Sequence, residues 1–260
     1  MKTIATLFIL VLTNPMAYAQ RPTTTSPKRS QSILFDFRNQ RDVSVATIPT
    51  GTQRSVLSKV FRNYLTDEAK CKSDLDASND SDPLRAARNS GQIVPSIVDM
   101  ASGSFTTAGR PETAYVISVS ECNASHADNF GTKRVAIFAG QELIADVDVD
   151  FNNSIVRKTD LNGDGINELL MTTGDMHQGV LTQTADLLEI SNGRVRVIED
   201  FGTVTEDSCG SGIADSASKA AVISLSDVTH GKMPRMQIDN YEASCRRARR
   251  WRFVSSGKMQ

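Results

Sequence analysis

No stretch of this chain is apolar for the roughly 20 residues that a membrane-spanning helix needs. No Cys-x-x-Cys pair or Cys/His cluster marks a zinc site. Neither charge dominates: 29 Lys and Arg stand against 30 Asp and Glu, a balance that argues against a nucleic-acid binder. His126, His177 and His230 are scattered singly, without metal-ligand spacing, and read as loop or surface residues. The segment Ser208-Cys209-Gly210-Ser211-Gly212 lacks the Gly-x-Ser-x-Gly pattern and the strand–turn–helix setting of a serine nucleophile, so it reads as a disulfide-bonded turn. Strands do not alternate with helices, which excludes a parallel βαβ sheet.

What is present begins with an export signal. Lys2 precedes the apolar core Ile4–Leu12, and Ala17-Tyr18-Ala19 fits the small-x-small cleavage rule, with Gln20 as the first mature residue. Residues 1–19 are therefore expected to be a signal peptide, and the protein secreted or periplasmic. Four cysteines, Cys71, Cys122, Cys209 and Cys245, suit an oxidising compartment. Three pairings are open; the shorter loops favour Cys209–Cys245 and Cys71–Cys122. The triplets at Asn79, Asn123 and Asn152 match the glycosylation sequon, which matters only in a eukaryotic source.

Residues 20–31 are polar and proline-bearing, and are expected to be a disordered leader. Residues 32–90 are expected to supply a strand at 32–37, a helix over 52–71 and a loop over 72–90, all packed on the body. The helix expectation rests on Val56, Leu57, Val60, Phe61, Tyr64 and Leu65, which recur at the spacing of one apolar face. Residues 91–260 read as a β domain of three strand triplets: 113–119, 134–139 and 143–149; 168–172, 184–190 and 194–201; 220–225, 235–241 and 249–254. Gly140-Gln141 and Asn192-Gly193 are tight-turn signals, the second suited to two positive φ angles.

The triplets also resemble one another. Residues 109–116 align with 165–172, and residues 116–121 with 222–227. Spacings of this order with several strands each are the pattern of propeller-like blades. The expected fold is mainly β: antiparallel meanders in three blade-like units, forming a partial propeller or a sandwich, with one N-terminal helix.

One segment commits to a chemistry. In Asp160-Leu161-Asn162-Gly163-Asp164-Gly165-Ile166-Asn167-Glu168, side-chain oxygens recur at 160, 162, 164 and 168, and a glycine follows the third. Calcium takes six to eight oxygens from carboxylates, amides, backbone carbonyls and water. Asp160, Asn162, Asp164, the Ile166 carbonyl and Glu168 would wrap such a sphere, and Gly165 permits the sharp turn. An EF-hand needs a glutamate at position 12, where this chain has Met171. The loop instead resembles the calcium loops of FG-GAP/VCBS-type repeats, as in integrin α-subunit propellers, with Glu168 where that family usually has Asp. The resemblance implies one structural Ca2+ ion. The aligned upstream segment carries Ser104, Thr106, Ala108 and Glu112, and is not expected to bind calcium.

Two further clusters read more simply. Asp146, Asp148 and Asp150 share one face of a strand and suit a solvated edge. Arg246, Arg247, Arg249, Arg250 and Arg252 surround Trp251, a possible anion or polysaccharide patch on an otherwise solvated strand. The function expected is that of an exported, non-enzymatic calcium-binding module with a protein or polysaccharide partner. The alternative is a secreted hydrolase with dispersed Asp, Glu and His groups.

Overall fold

A computed structural model of the protein describes residues 32–39, 48–77, 94–119, 132–150, 154–212, 216–245 and 250–259. They all fall within one compact unit, Gln31–Gln260. The expected signal peptide and leader, residues 78–93, the three sequon asparagines, Cys122 and His126 lie outside the described residues, as do Arg246, Arg247 and Arg249.

The strands are β1 (Ser32–Asp36), β2 (Ser96–Gly103), β3 (Glu112–Ser118), β4 (Lys133–Ala139), β5 (Glu142–Asp148) and β6 (Ser154–Thr159). They continue as β7 (Glu168–His177), β8 (Val180–Ser191), β9 (Arg194–Asp207), β10 (Ala217–Ser226), β11 (Arg235–Ser244) and β12 (Arg252–Ser256). Two helices, α1 (Thr50–Val60) and α2 (Tyr64–Ala77), lie between β1 and β2. Each expected triplet is present, and each gains a strand: β2 joins β3–β5, β6 joins β7–β9, and β1 joins β10–β12. The protein is mainly β and its recorded pairings are antiparallel.

The second and third sets are not separate sheets. β11 covers one edge of β10 along its whole length, and the other edge is shared. Ser218–Ala220 of β10 meet the end of β9, and from Val222 onward β1 takes β9's place. The long strands β8 and β9 slip register three times. Such bulges bend a sheet, and here they let β10, β11 and β1 fold back over β7 and β8.

Strand alternation divides the core. From β3 and β4, Val116, Val135 and Ile137 pack with Leu169, Met171, Leu188 and Ile190 of β7 and β8. From the opposite face of β7 and β8, Leu170, Ala185 and Leu187 pack with Leu34, Phe201, Ala221 and Ile223. β7 is therefore covered on both faces, and Glu168, Leu169, Leu170, Met171 and Thr172 are all buried. That explains its unbroken apolar run, which alternation alone would not produce. The outer face of the β2–β5 sheet is covered by the helices: Ile117, Ala136 and Phe138 pack with Val56, Leu57 and Tyr64.

The single expected helix is two. Phe61 leaves α1 in an extended conformation (φ −118°, ψ 111°) and its amide still bonds the Leu57 carbonyl. The break turns the apolar stripe: Val60 and Phe61 pack on the core, whereas Leu65 is 53% exposed. Cys209 and Cys245 form a disulfide, as the shorter-loop argument favoured. Cys71 is also disulfide-bonded. No helix among the described residues is long and apolar enough to cross a membrane.

Candidate metal centre

The loop joining β6 to β7 carries the calcium-like spacing, and its backbone is coiled around its own carboxylates. Asp160 Oδ1 accepts the amides of Gly163 (2.7 Å) and Asp164 (3.1 Å), and Oδ2 accepts that of Gly165 (2.9 Å). Asn162 Oδ1 accepts the Asp164 amide, and Asp164 Oδ1 accepts the Ile166 amide (2.8 Å). Gly163 and Gly165 sit at φ +75° and +85°, where side chains are strained. Their lack of a Cβ also allows close approach: one on Gly165 would stand 2.9 Å from the Ala108 methyl, and one on Gly163 would meet the His230 ring. Among the described residues no three His, Cys, Asp or Glu side chains converge as a ready-made metal cage.

Glu168 closes the loop from beneath. It is 1% exposed, and Oε2 accepts the Leu161 amide at 2.8 Å. Among the described residues no cationic side chain pairs with it. Burial pushes its carboxyl above the usual range; the amides of Leu161 and Glu168 itself pull it down, and the charges of Asp164 and Asp160 raise it further.

The loop joining β2 to β3 follows the same plan. Glu112 is 3% exposed and its Oε2 accepts the Phe105 amide at 2.5 Å, as Glu168 accepts that of Leu161. Phe105 and Leu161 are both buried, and Gly109 and Gly165 both have positive φ. The loops differ in charge: the first has Ser104 and Ala108 where the second has Asp160 and Asp164, and it adds a cation, Arg110. Arg110 reaches back to Glu112, Nε to Oε1 at 2.7 Å and Nη2 to Oε1 at 2.6 Å, and Nη2 also donates to Thr106 Oγ1 at 2.5 Å. Burial pushes the Glu112 carboxyl up, but bonds from the Thr106 hydroxyl, the Phe105 and Thr106 amides and Arg110 outweigh it and hold it low. In the second loop, Ile166 stands where Arg110 would fall.

The loops are also docked on each other. The Ser104 amide donates to Asn167 Oδ1 (3.0 Å), and the Asn167 amide donates to the Ser104 carbonyl (2.6 Å). A third contact comes from the β10–β11 turn, where the Gly231 amide donates to the Asn162 carbonyl at 2.5 Å. The 160–168 loop thus touches all three strand sets. The part played by Arg110, Asn167 and His230 was not read from the sequence. The aligned position of Arg110, opposite a residue expected to offer only a carbonyl, was the available signal.

The two glutamates give opposite pH slopes. For Glu112, held below its unfolded value, the stabilisation is present above that value and is lost as pH falls through the folded pKa. For Glu168, raised, the contribution is present below the unfolded value and is lost as pH rises through the folded pKa. In chelator at pH 7, Glu168→Gln should therefore raise the unfolding midpoint, by roughly 2–8 °C if removing an unpaired buried charge is worth about 1–2 kcal/mol. A lowered midpoint in circular-dichroism melts would show that the charge is already compensated.

The other clusters are ordinary. Arg134 grips Asp146 through Nε and Nη2 (both 2.8 Å) and reaches Asp148 with Nη1 (2.7 Å), so these aspartates are paired across the β4–β5 hairpin. Asp150 lies beyond the strand end. In the arginine segment β12 starts only at Arg252, whose exposed guanidinium faces Glu242 at 3.4 Å, while Arg250 is exposed and Trp251 packs partly into the core. Ser208 and Ser211 are tied into the disulfide turn, Oγ of each donating to a backbone carbonyl (2.9 and 2.7 Å). His177 ends β7 and is exposed.

Comparison with protein-family models, with curated proteins and with solved structures returned no match.

Proposed function

We infer that this chain is an exported, calcium-stabilised β module of the FG-GAP/VCBS kind, whose work is binding a protein or polysaccharide outside the cytoplasm rather than catalysis. The observation that carries the metal reading is Glu168, a fully buried carboxylate with no cationic side chain against it among the described residues, in a loop whose counterpart places Arg110 against Glu112. Asp160 and Asp164 add negative charge above it, and a divalent ion is the species that neutralises such a set.

The donor set fits calcium. Asp160 Oδ2 and the two Asp164 oxygens each accept a single donor and keep a second lone pair, so both carboxylates can retain their amide bonds and still ligate. The Asn162 Oδ1, the Ile166 carbonyl and water would complete an all-oxygen sphere, with Glu168 as the buried ligand. The ion's contribution is structural: it would fix the loop that docks on Ser104, Ala108 and Gly231. The paired Asp146 and Asp148 and the disulfide turn at Ser208 leave the described residues of those clusters to structure.

Isothermal titration of chelator-stripped protein with calcium chloride tests the reading. One equivalent should bind per chain, and Asp160→Ala with Asp164→Ala should remove the heat. Identical heats in the two proteins would end the calcium assignment.

A further inference from the structure

We propose that the 104–112 loop is a second cation-binding site, permanently filled by the guanidinium of its own Arg110. Glu112 is completely buried in its side chain, whereas Arg110 is 36% exposed in its own. The charge therefore arrives from the solvent side, as an ion would. The guanidinium donates twice to Glu112 Oε1 and once to the Thr106 hydroxyl, while the second carboxylate oxygen is held by the Phe105 and Thr106 amides (2.5 and 2.8 Å). The Thr106 hydroxyl itself donates to Oε1 at 2.6 Å. The Arg110 carbonyl accepts from Ser104 Oγ at 2.9 Å, which closes the backbone over the site.

The comparison within the chain gives this its force. Both loops bury a glutamate at their last position and bind it to the amide following their first. A buried carboxylate is tolerated when a charge partner and hydrogen bonds offset its desolvation. The first loop supplies that partner covalently, and its other positions carry Ser104, Thr106 and Ala108 instead of carboxylates and amide. A planar fork suits it better than a spherical ion, because one oxygen of Glu112 and one hydroxyl are the groups presented to it. The vacated site would take a guanidinium-type organic cation. The assignment stands whatever fills the 160–168 loop.

The test is chemical rescue in EDTA, so that metal in the second loop does not enter. Arg110→Ala should lower the unfolding midpoint by roughly 4–12 °C. Millimolar guanidinium chloride, far below denaturing concentrations, should recover part of the loss, and sodium chloride at equal ionic strength should not. Combining Arg110→Ala with Glu112→Gln should recover most of it without added cation and abolish the response to guanidinium. Arg110→Lys, which keeps the charge and loses the fork, should fold with a smaller loss and provides the milder variant. A midpoint unchanged in Arg110→Ala, or a loss that neither guanidinium nor Glu112→Gln reverses, overturns the proposal.

Discussion

Calcium should raise the thermal midpoint of the wild-type protein by roughly 5–11 °C when free ion exceeds its dissociation constant about 100-fold, and EDTA should remove the gain. Binding to the folded state alone at that excess contributes about 2.7 kcal/mol, and a protein of this size shifts by about 2–4 °C per kcal/mol. The effect is expected to be large because of what the loop joins. Its carboxylates stand over buried Glu168, and its backbone bonds both the β2–β3 loop and the β10–β11 turn. Without a cation, repulsion among the three carboxylates is expected to loosen the point where the strand sets meet. Magnesium should give a smaller shift, since it demands a tight octahedron and gives up water reluctantly. The Asp160→Ala, Asp164→Ala variant should melt at one temperature with and without calcium. An equal shift in that variant, or none in the wild type, would remove the ion from the account.

Replacing Cys209 and Cys245 together by serine should cost about 3–4 kcal/mol, or roughly 6–16 °C, from the chain entropy that the bond removes from the unfolded state. The bond closes a 36-residue separation. It ties the segment after β9 to the end of β11 at the place where β9 holds β10 through only Thr205–Asp207. The loss should therefore be local in its dynamics. Amide exchange should quicken in β10, β11 and β12, while β3 and β4, whose core lies between the β2–β5 sheet and β7–β8, stay protected. Uniform acceleration across both sheets would contradict this placement.

Much of the molecule was legible because its signals are local. Asn192-Gly193 turns with both φ positive (+52° and +68°), as that pair suits. The 160–168 spacing marks a loop wherever it folds. The strands β3, β4, β8 and β10 announced themselves as short runs, rich in β-branched residues or alternating, between turn signals. The strands β2 and β6 did not: their β-branched aliphatic residues are one adjacent pair each, Ile97-Val98 and Ile155-Val156, and pairing with β3 and β7 makes them strands. β7 extends past Thr172 through Thr173–His177, mostly exposed residues that gain structure from pairing with β8. The break between α1 and α2 was hidden because the apolar stripe continues through it. The role of Arg110 depends on a contact with the buried Glu112 that no spacing rule encodes.

The exchange of partners along β10 has a kinetic consequence. β1 bonds to Ser226's neighbours Leu225 through Val222, on the far side of nearly every other described element in the sequence. A contact so distant along the chain carries a large loop-closure cost before it gives any return. β1 buries Leu34, and the turn after it buries Phe37, against residues of β10 and β11. As the chain emerges from its first residue onward, that edge stays unpaired until β10 is available. The β2–β5 and β6–β9 sets are built from neighbours and can assemble first. Insertion of β1 beside β10 is then expected to be the closing step, and refolding rate should follow substitutions in β1 less than substitutions in β3 or β7.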